Sequence, residues 1–179
     1  MKRYIKSAII REPDIDLDEL DYRDILDLAD RSTDPNFLRN LANSDADYST
    51  KFLKSRIMCN PNTPVDVVLG LLPGIKESSA RDLIACTSIH TAVLDVLAND
   101  PDASVRGSVL SNEHTDIGTV VRLLNDGTQY ETADYNLVSF RDDIPDAELI
   151  KLYKSGRLDT AYASRLKYQI LKRGLTDQL

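Results

Sequence analysis

The sequence predicts an all-α fold: an α-solenoid of about five short helix-pair repeats, each roughly 26 residues long. Three observations predict it. First, Asn60-Pro61-Asn62-Thr63-Pro64-Val65-Asp66-Val67-Val68-Leu69-Gly70-Leu71-Leu72 matches Asn112-Glu113-His114-Thr115-Asp116-Ile117-Gly118-Thr119-Val120-Val121-Arg122-Leu123-Leu124 without a gap, at an offset of 52. Second, half that offset, 26, lands on another copy, Ile89-His90-Thr91-Ala92-Val93-Leu94-Asp95-Val96-Leu97. Third, apolar residues recur at spacings of three and four on both sides of each turn. The segments that carry them span only two or three helical turns, too short to be stable alone in water. Stacked neighbours must therefore cover each apolar face.

The elements follow in order. Residues 1–32 are expected to form acidic capping helices. Within them, residues 14–30 hold eight acids and one base, with Leu17, Leu20, Ile25 and Leu28 as an apolar stripe. Residues 33–155 carry the helix pairs. A loose copy, Thr33-Asp34-Pro35-Asn36-Phe37-Leu38-Arg39-Asn40-Leu41, lies 30 residues before Thr63, and Ile144-Pro145-Asp146-Ala147-Glu148-Leu149-Ile150-Lys151-Leu152 lies 29 after Thr115. First helices are expected around Phe52/Leu53/Ile57/Met58, Ala80/Leu83/Ile84/Ala85, Val105/Val109/Leu110 and Leu137/Val138/Phe140. Second helices are expected around Phe37/Leu38/Leu41, Val67/Val68/Leu71/Leu72, Val93/Leu94/Leu97, Val120/Val121/Leu123/Leu124 and Leu149/Ile150/Leu152/Tyr153.

Start signals agree. Asp34-Pro35 and Thr63-Pro64 place a capping oxygen before a Pro at the first helical position, where a missing N–H costs nothing. Ser88 and Thr115 serve as the expected caps in other copies. Asn99-Asp100 and Asn125-Asp126 mark inter-repeat turns. Residues 156–179 are expected to form a basic capping helix, with Tyr162, Leu166, Ile170 and Leu171 inward and Arg165, Lys167, Lys172 and Arg173 outward. Polar-faced ends keep a repeat array from joining end to end.

The run from Asp100 through Thr115 and on to Leu124 resembles a leucine-rich repeat variant unit, within the wider group of HEAT-like α-solenoids. Asn60-Pro61-Asn62-Thr63-Pro64 is similar to the turn of the same unit. The resemblance covers about residues 60–124, continues loosely over 33–59 and 125–153, and leaves out the first ~30. It implies a right-handed superhelix of stacked short helices. One iron–sulfur member of that family carries a cysteine cluster beside its repeats. This chain has no such cluster, so that function is not carried over.

Charge narrows the function. The net charge is −7 and uneven: residues 100–149 carry 3 Lys/Arg against 11 Asp/Glu, and residues 150–179 carry 7 against 2. The middle of the chain thus repels phosphate and the tail attracts it; general nucleic-acid binding needs a broad basic footprint, which only the last helices could supply, and is not expected. Cys59 and Cys86 form no CxxC pair and are expected as small buried core residues of a reducing compartment. No run approaches the ~20 apolar residues of a membrane helix. The apolar stretch after Met1 is too short for a signal peptide. A cytoplasmic protein with no membrane role is expected.

No catalytic constellation emerges. His90 and His114 sit at a helix start and in a turn. Asp142-Asp143, Asp100 and Asp102 cluster in turns and first helical turns, where acids favour the helix dipole. There is no Gly-rich phosphate loop, HExxH or calcium loop, and no zinc spacing. Neither metal nor cofactor is expected. Arg106 is read as bonding a neighbouring turn carbonyl or an acid such as Asp102. The expected function is a non-catalytic scaffold that binds a protein partner on its concave face. The outward positions of the second helices, Asp66, Asp95, Arg122, Asn125, Lys151 and Lys154, grade from acidic to basic and suit a partner of complementary charge. Two alternatives are an acidic inhibitor that imitates DNA, motivated by residues 100–149, and a HEAT-like DNA-binding protein of the glycosylase type.

Overall fold

A computed structural model describes residues 20–44 and 51–179. Every regular element among the described residues is helical. The chain divides into two compact units, residues 1–75 and 76–179. The first holds α1 (Tyr22–Arg31), α2 (Pro35–Ala42), α3 (Lys51–Cys59), α4 (Val65–Leu71) and a 3₁₀ turn, Leu72–Gly74. The second holds α5 (Ser78–Thr87), α6 (Thr91–Leu97), α7 (Ala103–Ser111), α8 (Ile117–Leu124), α9 (Thr132–Val138), α10 (Asp146–Lys154), α11 (Thr160–Lys172) and a 3₁₀ turn, Thr176–Gln178.

The second helices α2, α4, α6, α8 and α10 begin at Pro35, Val65, Thr91, Ile117 and Asp146. Their starts are 30, 26, 26 and 29 residues apart, the intervals of the sequence copies. In the first unit α1 packs on α3, and α3 packs on both α2 and α4. Its core joins Ile25 and Ala29 of α1, Phe37, Leu41 and Ala42 of α2, Leu53 and Ile57 of α3, and Val67 of α4. In the second unit α5 packs on α7 and α7 on α9, with α6 and α8 against α7 and α10 against α11. Ile84, Val93, Leu94, Val105, Val109, Leu110, Val120, Leu123, Leu149, Leu166 and Ile170 are buried there. Aliphatic burial of this kind supplies ~25 cal/mol per Å² and holds helices that would melt alone.

Several stripe assignments need correction. Phe52, Leu83, Leu137, Phe140 and Leu171 are about half exposed. Phe52, Leu83, Leu137 and Leu171 each lie about 100° round the helix from the nearest buried side chain, since successive helical residues point about 100° apart, and Phe140 lies in the turn after α9. Arg56 covers the Phe52 ring and Arg165 the Phe140 ring. Cys86 is exposed and Cys59 only half-buried, so neither is the core residue expected. In the N-terminal stripe Ile25 is buried and Leu20 and Leu28 half-buried. Leu17 lies outside the described residues.

Capping is partly as expected. Asp34 caps α2, accepting the Asn36 N–H at 2.8 Å, with Pro35 at the first helical position. Asp21, Asp102 and Asp116 cap α1, α7 and α8 in the same way. The expected caps Thr63, Ser88 and Thr115 are displaced: the N-cap positions are Pro64, His90 and Asp116. Thr63 and Thr115 are buried instead and donate their hydroxyls to the Ile57 and Val109 carbonyls, at 2.5 and 2.6 Å.

Candidate functional site

The turn after each first helix sets where the second helix starts, and hence where its outward residues lie. Asn60 and Asn112, 52 residues apart, build the same turn. The Asn112 side-chain amide donates to the Ala85 and Ser88 carbonyls, and its oxygen accepts the His114 N–H. Asn60 donates to the Ala29 and Ser32 carbonyls and accepts from the Asn62 N–H. A buried amide thus satisfies carbonyls at the end of the preceding first helix, which would otherwise be orphaned. Later turns use other donors. Arg141 reaches the Asn112 and Glu113 carbonyls, Gln169 and Arg165 reach the Ser139 carbonyl, and Arg173 reaches the Asp142 and Ile144 carbonyls.

A second set of links joins first helices to the following loops. Arg81, fourth residue of α5, donates to both carboxylate oxygens of Asp100 and to the Lys76 carbonyl. The side chains of this pair are only 16% and 6% exposed. Arg106, fourth residue of α7, donates to the Asp100 and Pro101 carbonyls and to the Thr128 hydroxyl, and pairs with Asp126. The expected turn-carbonyl role of Arg106 is therefore seen, with Asp126 rather than Asp102 as its acid. Burial works against the Asp126 charge. Bonds from the Tyr130 hydroxyl and the Thr128 N–H, with the field of Arg106, nonetheless hold its pKa below the ordinary value.

On the second helices all six expected recognition residues are exposed. In the first unit, Asp66 of α4 takes two hydrogen bonds from Arg39 of α2, at 2.5 and 2.9 Å, which lower its pKa. In the second unit, Asp95 of α6 accepts from the Thr119 hydroxyl of α8. Arg122 donates to Asn99 and to the Ala98 carbonyl. Asn125 donates to Glu148 and accepts from Lys151 of α10. Lys154 stands exposed in the last turn of α10. The structure thus brings Asn125 and Lys151 together, ties Asp95 and Asn125 to neighbouring second helices, and ties Arg122 to the turn after α6. Arg39, Thr119 and Glu148 were not anticipated, although each sits on a second helix beside an anticipated residue.

Asn125 and Lys151 also line an open groove of about 220 Å³ between α8 and α10, with Leu124 and Leu152 as apolar residues and Glu148, Ser155 and Arg157 as polar ones. Among the described residues no group of three or more His, Cys, Asp or Glu side chains is placed to hold a metal ion. None of the described helices is long and apolar enough to cross a membrane. In comparisons with known proteins, no family model, curated protein or solved structure matches the chain.

Proposed function

We propose that the chain is a short HEAT-like or leucine-rich-repeat-variant-like α-solenoid, a right-handed superhelix of about five helix pairs, and that it binds a protein partner through its second helices without catalysis. The observation that carries this proposal is the exposed polar row of the second unit. Exposed Asp95, Arg122, Asn125 and Lys151, with half-buried Thr119 and Glu148 among them, run across α6, α8, α10 and the turns just after α6 and α8, linked by side-chain hydrogen bonds. Such links order exposed side chains before a partner arrives and so reduce the entropy lost on binding. The groove between α8 and α10 adds a recess beside that row, of a size to take one partner side chain.

The recurring turn around Asn60 and Asn112, and the helix-start intervals of 30, 26, 26 and 29, support the repeat reading. The acid-rich residues 100–149 favour the scaffold over a DNA imitator, because Asp100, Asp126, Asp143 and Asp146 pair with Arg81, Arg106, Arg141 and Arg173. Affinity capture from the native host tests the proposal. The unmodified chain should retain a protein that Arg122→Glu/Lys151→Glu loses. Retention by both, or capture of nucleic acid in a salt-sensitive manner, would contradict it.

A further inference from the structure

We propose that the outward face of α11 docks the acidic segment 14–30 of a second copy of this chain, so that copies join head to tail. Leu166, Gln169 and Ile170 are the buried side of α11. The opposite side presents Ala161, Ser164, Tyr168 and Leu171, at spacings of three, four and three, which is the seam a partner helix packs against. Tyr168 is 67% exposed and Leu171 46%.

Charge selects the occupant. Lys167 flanks the seam on one side and Lys172 on the other, and Thr160–Lys172 contains no Asp or Glu. Arg165 on the Lys172 side is engaged with the Ser139 carbonyl and the Phe140 ring, so the two lysines supply the flanking charge. Pairing α11 with α11 of another copy would set cations against cations. Residues 14–30 carry the opposite balance, eight acids to one base, together with the apolar Ile15, Leu17 and Leu20. The two partners differ in sequence, so the contact is heterologous.

Sedimentation velocity of the purified full chain tests this. Association should grow with concentration over about 5–200 µM by mass action. It should weaken steeply between about 50 and 500 mM salt. Lys167→Glu/Lys172→Glu and Asp16→Lys/Asp18→Lys should each stay monomeric. An equimolar mixture of the two should associate again, because the unaltered segment 14–30 of the first variant meets the unaltered α11 of the second. Tyr168→Ala/Leu171→Ala should weaken association by about tenfold without moving the unfolding midpoint. A chain that stays monomeric at low salt throughout that range would overturn the proposal. So would association indifferent to Lys167→Glu/Lys172→Glu.

Discussion

Asn112 and Ser88 are joined across the ends of two first helices: the Asn112 side-chain amide donates to the Ser88 carbonyl at 2.9 Å. The same amide holds the Ala85 carbonyl at 2.7 Å, and Asn112 is 8% exposed. Removing it leaves two carbonyls short of a donor in a buried place. Asn112→Ala should cost about 2–3 kcal/mol in denaturant unfolding. Asn112→Asp should cost at least as much, because a carboxylate keeps the shape but cannot donate. A loss below about 0.5 kcal/mol for both would show that water replaces the amide freely.

Arg81 and Asp100 form the most buried ion pair among the described residues, and breaking one side strands the other charge. Asp100→Ala should destabilise by about 3–5 kcal/mol. The double variant Arg81→Met/Asp100→Leu should recover a large part of that loss, since a neutral pair leaves no orphan charge. A double-mutant cycle measures the coupling directly, and strictly additive losses would mean that the pair is not acting as a unit.

The acid limb of stability carries a sign for each carboxyl. Asp126 has a folded pKa below its ordinary 3.8, so its stabilisation is present above that value and lost as pH falls through the folded value. Burial, first among its causes, raises the pKa of Asp134, which makes the opposite contribution: stability is gained as pH falls through the folded value toward the ordinary one. Between about pH 6 and pH 2, Asp126→Asn should therefore flatten the loss of stability below the ordinary value, and Asp134→Asn should remove the gain above it. Urea unfolding across that range separates the two.

Gly107 sits where α7 meets Asp134 at the start of α9. A Cβ there would lie 3.1 Å from the Asp134 Cγ and closer still to its carboxylate oxygen. Helix propensity alone would make Gly107→Ala stabilising by about 1 kcal/mol. The crowding should reverse that sign by pushing Asp134 off the Ser111 hydroxyl, at a net cost of about 1 kcal/mol. In the Asp134→Ala background the same substitution should become neutral or stabilising. Equal effects in both backgrounds would place the strain elsewhere.

Much of the helical scheme could be read from the residues, because spacing and turn chemistry are local. Pro35, Val65, Thr91, Ile117 and Asp146 open second helices at the intervals that the copies display. Less legible was which of two adjacent apolar residues faces inward. Ile84 is buried and Leu83 half exposed, a choice made by the neighbouring helix. The turn threonines were misassigned for a related reason. A hydroxyl two residues before a helix looks like a cap, whereas Thr115 lies against the open carbonyl of Val109 six residues back. At the candidate site the exposed positions were legible from period alone, but their partners Thr119, Asn99 and Glu148 belong to side-chain directions that one chain's sequence does not display. The Arg81–Asp100 and Arg106–Asp126 links left a trace in the 26-residue recurrence of the Asn-Asp pairs. Their arginine donors stand at the same point of α5 and α7.

The most direct measurement of the central claim is site-specific photo-crosslinking in the native host. A photoreactive residue placed at Asp95, Arg122 or Lys151 of the second helices should yield a crosslinked protein partner of the same mass from all three positions. The same probe at Leu83 or Cys86 of α5, equally exposed on a first helix, should yield none. Crosslinks to that partner from α5 but not from the second helices would contradict recognition through this row.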